Sequence, residues 1–185
     1  MPVNAGTLTQ PVVLVGMMGS GKTAVGGALA RLLGVAFLDS DDAIVKAANM
    51  SIAEIFERDG EPFFRKRETE ILARLLDGKP AILSTGGGAF LSPQNRDLIA
   101  DKAVSVWLKA DLELLWSRVR HKNTRPLLRT ENPYQTLKSI ADARNPIYAK
   151  AELAVEAHPD YSIEQMAQAV YDTLKSAGHI VEGNR

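Results

Sequence analysis

The chain has 185 residues, of which 45% are hydrophobic and 24% are charged, a composition typical of one soluble globular domain. Its 22 basic residues balance its 22 acidic residues, so no net field attracts nucleic acid or an anionic membrane. The absence of cysteine excludes disulfides, thiolate metal sites and a cysteine nucleophile. The first ten residues lack a signal-peptide pattern, and the longest apolar run, residues 11–18, is too short to span a bilayer. We expect a cytoplasmic monomer with neither nucleic acid nor membrane as a partner.

Short apolar runs alternate along the chain with longer segments of helical periodicity. The runs predict five strands, at residues 12–16, 35–39, 81–84, 103–108 and 153–157. The longer segments predict helices at residues 22–33, 41–49, 52–59, 61–77, 93–101, 112–120, 133–151 and 163–177. Ser51, Ser92, Asp111 and Ser162 stand at helix N-cap positions, and Pro146 predicts that the seventh helix bends or ends near it.

Strands that alternate with helices, without hairpin dipeptides between them, predict a parallel sheet covered by helices. Such sheets bind ligands at the carboxyl ends of their strands, where residues 16–23, 39–42 and 84–88 form loops. The polar segment at residues 120–132 joins two helices and predicts a mobile flap. We place one domain at residues 11–177, between a disordered segment at 1–10 and a frayed tail at 178–185.

Residues 16–23 read GMMGSGKT, which satisfies the phosphate-binding pattern G-x-x-x-x-G-K-[ST] in full, between a predicted strand and a predicted helix. Its glycines allow turns that point N–H groups inward, and the helix adds the positive end of its dipole. Lys22 supplies a mobile charge for the outer phosphates, and the Thr23 hydroxyl is a ligand for Mg²⁺. The pattern therefore predicts binding of a nucleoside triphosphate. The expected contacts are Gly19, Ser20, Gly21, Lys22, Thr23 and Ala24.

A phosphate-binding loop alone does not define the reaction. The sequence has no N-K-x-D motif of the kind that reads guanine in GTP-binding proteins, and mechanical ATPases usually need a larger or oligomeric platform. Small-molecule kinases remain, and a kinase also needs a site for its acceptor.

Two acids follow the second predicted strand. Asp39 ends the strand, where a carboxylate could hold a water bound to Mg²⁺, and Asp41 could accept hydrogen bonds from substrate hydroxyls. The competing explanation is structural, because one of Ser40, Asp41 or Asp42 is expected to cap the helix that begins here.

Three glycines and three arginines complete the candidate site. Gly86–Gly88 follow the third strand and leave bare backbone on which a flat substrate could pack, although a flexible loop is the alternative. Arg65 lies beside Phe63 and Phe64, which we expect to face apolar surface. Arg125 lies in the flap, and Arg144 lies on the helix after it. Each arginine alone could simply be a solvated charge on the surface. Only the arrangement of all three around the loops indicates a function.

Taken together, these motifs resemble the shikimate kinases over residues 12–151. The resemblance depends on GMMGSGKT, FLDSD, SIAEIFERDGEPFFRKRE, LSTGGGA, RPLL and ARNPIY, of which only the first is generic. It implies a three-layer α/β/α P-loop NTPase fold with a five-stranded parallel sheet, a mobile lid at residues 120–132 and a substrate-binding helical segment. It also implies a reaction, the Mg²⁺-dependent transfer of the γ-phosphoryl group of ATP to the 3-hydroxyl of shikimate, in the biosynthesis of chorismate and the aromatic amino acids.

The same resemblance implies roles for individual residues. Asp41 would contact the substrate hydroxyls and is the candidate for accepting the proton, while Lys22 and Arg125 would neutralise the transferred phosphate. Arg118 would stack near adenine. The implied substrate contacts are Asp41, Phe56, Phe64, Arg65, Glu68, Gly86, Gly87, Gly88 and Arg144, and the metal would be held at Thr23 and Asp39.

Three alternatives stay open at this point. A related kinase of gluconate or another polyhydroxy acid would share the phosphate-binding loop and an acid after the second strand. A nucleotide-responsive regulatory protein would have lost catalysis, although Lys22, Thr23, Asp41 and Arg125 argue against that. The basic run at residues 118–129 suggests an RNA-binding protein, which the balanced net charge disfavours. Residues 157–160, AHPD, resemble the adenine-contacting loop of the family too weakly to assign a contact.

Overall fold

A computed structural model describes residues 6–121 and 129–183 of the chain. The strands in this part are β1 (Thr7–Leu8), β2 (Val12–Val15), β3 (Phe37–Asp39), β4 (Ile82–Ser84), β5 (Val104–Lys109), β6 (Leu153–Glu156) and β7 (Ile180–Val181). Five of them form a parallel sheet in the order β3-β4-β2-β5-β6, which confirms the predicted α/β architecture.

Helices cover both faces of this sheet. They are α1 (Lys22–Leu33), α2 (Ser40–Ala48), α3 (Ile52–Asp59), α4 (Glu61–Leu76), α5 (Pro93–Lys102), α6 (Leu112–Val119), α7 (Pro133–Tyr148) and α8 (Ile163–Ser176). Within the described residues, none of them combines the length and the apolar character needed to cross a membrane.

Strand β2 shows why the domain has three layers. Val12 and Leu14 belong to the core shared with α1 and α8, whereas Val13 and Val15 belong to the core shared with α4 to α7. Side chains alternate between the two faces of a strand, and all four are buried here, so both faces need a helical cover. A third, smaller core joins α2, α3 and α4 around Ile44, Ile55, Phe64 and Ile71.

The helix boundaries follow local chemistry. The predicted N-caps each accept a backbone N–H of the first turn, and Ser162 and Gln165 form a complete capping box. Pro146 lies inside α7, which continues two residues further, to Tyr148. Proline removes one helical hydrogen bond at that point, and α7 ends within one turn of it, as predicted, with Leu137, Ala141 and Tyr148 buried along the helix.

The predictions of a disordered segment at residues 1–10 and a frayed tail at 178–185 are wrong where the structure describes them. Strand β1 pairs with β7 in antiparallel fashion, with Thr7 opposite Val181 and Leu8 opposite Ile180. Leu8 and Ile180 are buried, 3% and 5% exposed, in the core shared with α1 and α8. Two-residue strands have no detectable periodicity, and this pair is stabilised by apolar contacts that come from distant parts of the chain.

The sheet register brings the candidate loops together. Asp39 is paired with Ser84, and Ser84 is paired with Leu14, so the carboxyl ends of β3, β4 and β2 lie in one row. Neighbouring strands are about 4.8 Å apart. The acid pair, the triple glycine and the phosphate-binding loop therefore open at the same edge of the sheet, as parallel topology predicts.

Candidate active site

The phosphate-binding loop ends at a helix start that has no side-chain cap. Gly21 is the N-cap residue of α1, with a left-handed backbone (φ 97°), and its helix has no acidic residue in the first turn. The first N–H groups of α1 therefore have no competing anionic side chain and can bind a phosphate group. Lys22 Nζ donates to the carbonyl oxygens of Gly16 at 2.6 Å and Met17 at 3.1 Å, so its charge lies over the same loop.

Helix α6 packs directly on this loop. Arg118 Nη1 donates to the carbonyl of Gly19 at 2.9 Å. A methyl group at Gly19 would lie 2.7 Å from Val119 Cγ1, so only glycine allows this approach. Arg118 thus lies at the phosphate-binding loop, and its stacking near adenine stays a prediction. Ser20 is buried, whereas Thr23 and Ala24 are exposed on the first turn of α1.

Asp39 caps a helix, a role that we predicted for one of its neighbours. Its Oδ1 accepts the N–H groups of Asp41 at 2.9 Å and Asp42 at 3.1 Å, so Asp39 is the N-cap of α2. The expectation that Ser40, Asp41 or Asp42 caps this helix is wrong, because α2 begins one residue earlier than predicted. The carboxylate of Asp41 is therefore not needed to start the helix.

Asp41 lies between the phosphate-binding loop and the arginines. Its pKa is raised above the ordinary value by burial first and by the charge of Asp39 second, while Lys22 and Arg65 act in the opposite direction. The same carboxylate is thus under the influence of one cation from the phosphate-binding loop and one from helix α4. A raised pKa makes a carboxylate a stronger proton acceptor in its ionised form.

The triple glycine is the meeting point of three predicted substrate residues. A methyl group at Gly86 would lie 2.8 Å from Asp41 Oδ1, and one at Gly87 would lie 3.0 Å from Arg144 Nη1. At Gly88 it would lie 2.7 Å from both terminal nitrogens of Arg65. We predicted bare backbone for a substrate to pack on. The structure shows in addition that each missing side chain makes room for one functional group of the protein.

Arg65 is oriented by a buried acid. Its Nη1 donates to Glu68 Oε1 at 3.0 Å, and Glu68 is only 2% exposed. Burial raises the pKa of Glu68, and the neighbouring Arg65 opposes this rise. The guanidinium also lies 5.3 Å from the centre of the Phe64 ring, which in turn lies 4.6 Å from the Phe56 ring. These contacts bring Phe56, Phe64, Arg65 and Glu68 into one group, and their contact with a substrate stays a prediction.

The expectation that both phenylalanines beside Arg65 face apolar surface holds for only one of them. Phe64 is buried, but Phe63 is 37% exposed and lies beneath the guanidinium of Arg67 at 5.1 Å. Consecutive helical residues point about 100° apart, so α4 cannot bury both rings against the same neighbours.

Tyr148 was missed as a site residue. Its hydroxyl donates to the carbonyl of Gly87 at 2.6 Å, and its side chain is fully buried. The available signal was its place in ARNPIY, four residues after Arg144, since residues at this spacing share one helix face.

Arg125 and most of the predicted flap lie outside the described residues. Within the described residues there is no cluster of three histidine or acidic side chains around a possible metal. The residues present still suit a Mg²⁺ ion bound with a nucleotide, because such an ion takes most of its ligands from phosphates and water. The Thr23 hydroxyl is exposed, and only Oδ1 of Asp39 serves the helix cap.

Comparison with known proteins places the chain in a family. The shikimate kinase family model matches residues 18–175. Shikimate kinase of Cereibacter sphaeroides is 60% identical over 175 residues, which cover 95% of this chain and 87% of the relative. That of Ruegeria pomeroyi is 59% identical over 178 residues, covering 96% and 91%.

Similarity to solved structures supports the same family. Shikimate kinase from Acinetobacter baumannii, determined in complex with shikimate, matches with a TM-score of 0.85 and 38% identity over 91% of this chain and 94% of that one. A gluconokinase from Sinorhizobium meliloti matches with a TM-score of 0.58 and 17% identity over 92% and 94%, which is a likeness of fold alone. The similarity to this gluconokinase is thus much weaker than the similarity to the shikimate kinases. Sequence, fold and site geometry agree, and the chain belongs to the shikimate kinase family.

Proposed function

We propose that the chain transfers the γ-phosphoryl group of ATP to the 3-hydroxyl of shikimate, forming shikimate 3-phosphate and ADP. Besides membership of the family, one observation supports this function above the others. Asp41, Arg144 and Arg65 lie in turn against Gly86, Gly87 and Gly88, so an acid and two guanidinium groups surround one short stretch of backbone. This stretch opens beside the phosphate-binding loop.

The two arginines suit the carboxylate of shikimate. A guanidinium is planar and offers paired N–H donors, which match the two oxygens of a carboxylate better than a lysine ammonium does. Arg65 is held by buried Glu68 through Nη1 and lies near exposed Glu61 through Nε, and these contacts limit its motion. The ring of the substrate would lie on the side formed by Phe56 and Phe64.

Asp41 would act on the reacting hydroxyl. In its ionised form it accepts the hydrogen bond of the 3-hydroxyl and takes the proton as the new phosphate ester forms. Its raised pKa favours this proton transfer, and Lys22 and Arg65 keep the ionised form accessible by opposing the effect of burial.

The residues on the ATP side align the phosphates and neutralise their charge. Phosphoryl transfer passes through a loose transition state, so alignment and neutralisation account for most of the catalysis. The start of α1 and Lys22 hold the phosphates, Arg118 lies on the nucleotide side, and Arg125 would close on the transferred group. Thr23 and Asp39 would hold Mg²⁺, which neutralises charge between the outer phosphates when it is bound.

In the cell, we infer a cytoplasmic monomer that supplies the pathway to chorismate and the aromatic amino acids. The balanced charge of the chain supports the absence of a nucleic-acid or anionic membrane partner. The lack of cysteine is compatible with a reducing compartment.

A substrate panel tests the proposal. The protein is assayed for ADP release with Mg·ATP and shikimate, quinate, gluconate or no acceptor. We expect rapid turnover with shikimate, and shikimate 3-phosphate identified by mass spectrometry. Turnover of gluconate without turnover of shikimate would refute the assignment, and ADP release that does not depend on an acceptor would show a simple ATPase.

A further inference from the structure

Helix α7 presents two side chains to the middle glycine of the triple-glycine loop. Arg144 and Tyr148 are one helical turn apart on the same face. A methyl group at Gly87 would lie 3.0 Å from Arg144 Nη1 and 3.7 Å from the Tyr148 hydroxyl. The carbonyl oxygen of Gly87 accepts the Tyr148 hydroxyl proton at 2.6 Å.

Gly87 differs from its two neighbours in how its carbonyl is bound. The carbonyl of Gly86 accepts the N–H of Ala89 at 3.1 Å, and that of Gly88 accepts the N–H of Leu91 at 3.2 Å. Both of these bonds close the short 3₁₀ turn that follows the glycines, Ala89–Leu91. The bond from Tyr148 instead ties the middle of the loop to another helix.

The turn after the glycines is fixed independently by helix α5. Asn95 Nδ2 donates to the carbonyl of Ala89 at 2.9 Å, and Arg96 Nη1 donates to the carbonyl of Phe90 at 2.8 Å. Loss of the Tyr148 hydroxyl would therefore leave this turn in place. Its effect should be confined to Gly87 and to the adjacent guanidinium of Arg144.

The Tyr148 ring is itself a rigid support. It is fully buried in the core shared by α4 to α7, and its centre lies 6.4 Å from the Trp107 ring. Burial raises the pKa of the hydroxyl, with Arg144 acting in the opposite direction, so the hydroxyl stays a proton donor across the physiological range.

We propose that Tyr148 is a positioning residue for acceptor recognition, which holds Gly87 and Arg144 at the spacing needed to bind the substrate carboxylate. This inference rests on the proposed function, because it takes shikimate to be the acceptor. Tyr148 touches neither the nucleotide side nor the reacting hydroxyl, so its contribution should be seen in shikimate binding.

The first test is Tyr148→Phe, which keeps the ring and removes only the hydroxyl. We expect the dissociation constant and KM for shikimate to rise about three- to tenfold, because the Gly87 carbonyl loses a short hydrogen bond. The KM for ATP should stay within about twofold, since the phosphate-binding loop is unaffected. The control is Tyr171→Phe, in which the lost hydroxyl contacts the N–H of Gly6 near β1, and it should leave both constants unchanged.

A double-mutant cycle with Arg144→Ala distinguishes positioning from a general loss of structure. If Tyr148 acts through Arg144, the effect of Tyr148→Phe on shikimate binding should largely vanish once Arg144 is absent. Additive effects, or equal losses of shikimate and ATP binding accompanied by a lower Tm, would contradict the proposal. Wild-type protein without shikimate kinase activity would instead refute the proposed function itself.

A labelling experiment covers the case in which Tyr148→Phe does not fold. The protein is labelled with 3-fluorotyrosine, and its four tyrosine signals are assigned by replacing Tyr134, Tyr161 and Tyr171 with phenylalanine in turn. The ¹⁹F signal of Tyr148 should shift when shikimate is added and stay unchanged with ATP alone. A Tyr148 signal that does not shift when shikimate is added, or that shifts equally with ATP, would overturn the inference.

Discussion

Replacement of Gly88 by alanine tests the contact between the triple-glycine loop and Arg65. The added methyl group would lie 2.7 Å from Nη1 and Nη2 of Arg65 and 3.0 Å from Cζ. The backbone of Gly88 has ordinary φ, so alanine adds no conformational strain of its own. The variant therefore changes only the space available to the guanidinium.

The size of the effect follows from these distances. An unstrained contact requires about 3.4 Å or more, so the guanidinium must retreat by about 0.7 Å. Arg65 cannot do so freely, because its Nη1 is bonded to buried Glu68. A charge-assisted hydrogen bond contributes about 1.5–3 kcal/mol, and misalignment loses this contribution. We therefore expect shikimate to bind at least about tenfold more weakly.

Isothermal titration of Gly88→Ala with shikimate and with an ATP analogue measures both affinities separately. ATP binding should stay within about twofold of wild type, since Gly88 contacts the acceptor side only. Gly78→Ala is the matched control, because that glycine is exposed and the nearest atom to its added methyl group is 3.5 Å away. Wild-type shikimate affinity in Gly88→Ala would refute the argument that the missing side chain makes room for Arg65.

Three further variants examine the remaining parts of the site. Arg144→Ala should lose about 1.5–3 kcal/mol of shikimate binding, at least about tenfold, with ATP affinity nearly unchanged, and equal losses in titrations of both ligands would contradict this. Lys22→Ala should abolish phosphoryl transfer in a coupled ADP assay while circular dichroism shows an intact fold, and full activity would refute the role of the loop. The charge of Asp39 raises the pKa of Asp41, and only ionised Asp41 can accept a proton. In Asp39→Asn the acidic limb of the kcat/KM profile should therefore move to lower pH, and an unmoved limb would count against Asp41 as the base.

The sequence predicted the sheet and the meeting of the three loops because these depend on local patterns. Apolar runs such as residues 12–15 are buried on both faces of a parallel strand, and the phosphate-binding motif needs a strand before it and a helix after it. Parallel strands then bring their carboxyl ends to one edge without further information. The relative order of Asp41, Arg144 and Arg65 along the glycines could not be predicted in this way, because it depends on three separate helices.

Other differences arise where tertiary contacts compete with local preference. Asp39 was assigned to the strand end and the helix cap to one of its three neighbours, but the structure shows that Asp39 has both positions, because α2 follows β3 without a linker. The end of α7 was predicted correctly from local preference, since Pro146 was expected to bend or end the helix nearby and α7 ends two residues later, at Tyr148. The bond between Tyr148 and Gly87 joins residues 61 positions apart, a separation that periodicity cannot detect.

The pairing of β1 with β7 has a practical consequence for anyone who shortens or rearranges this protein. A chain trimmed to start at Gln10 would leave Ile180 without its partner strand and would open the apolar contact beneath α8. Conversely, the two paired strands run side by side, so a short peptide could link the last folded residues to the first. Such a circularly permuted protein could take its new ends from an exposed turn such as residues 77–79, far from the glycines.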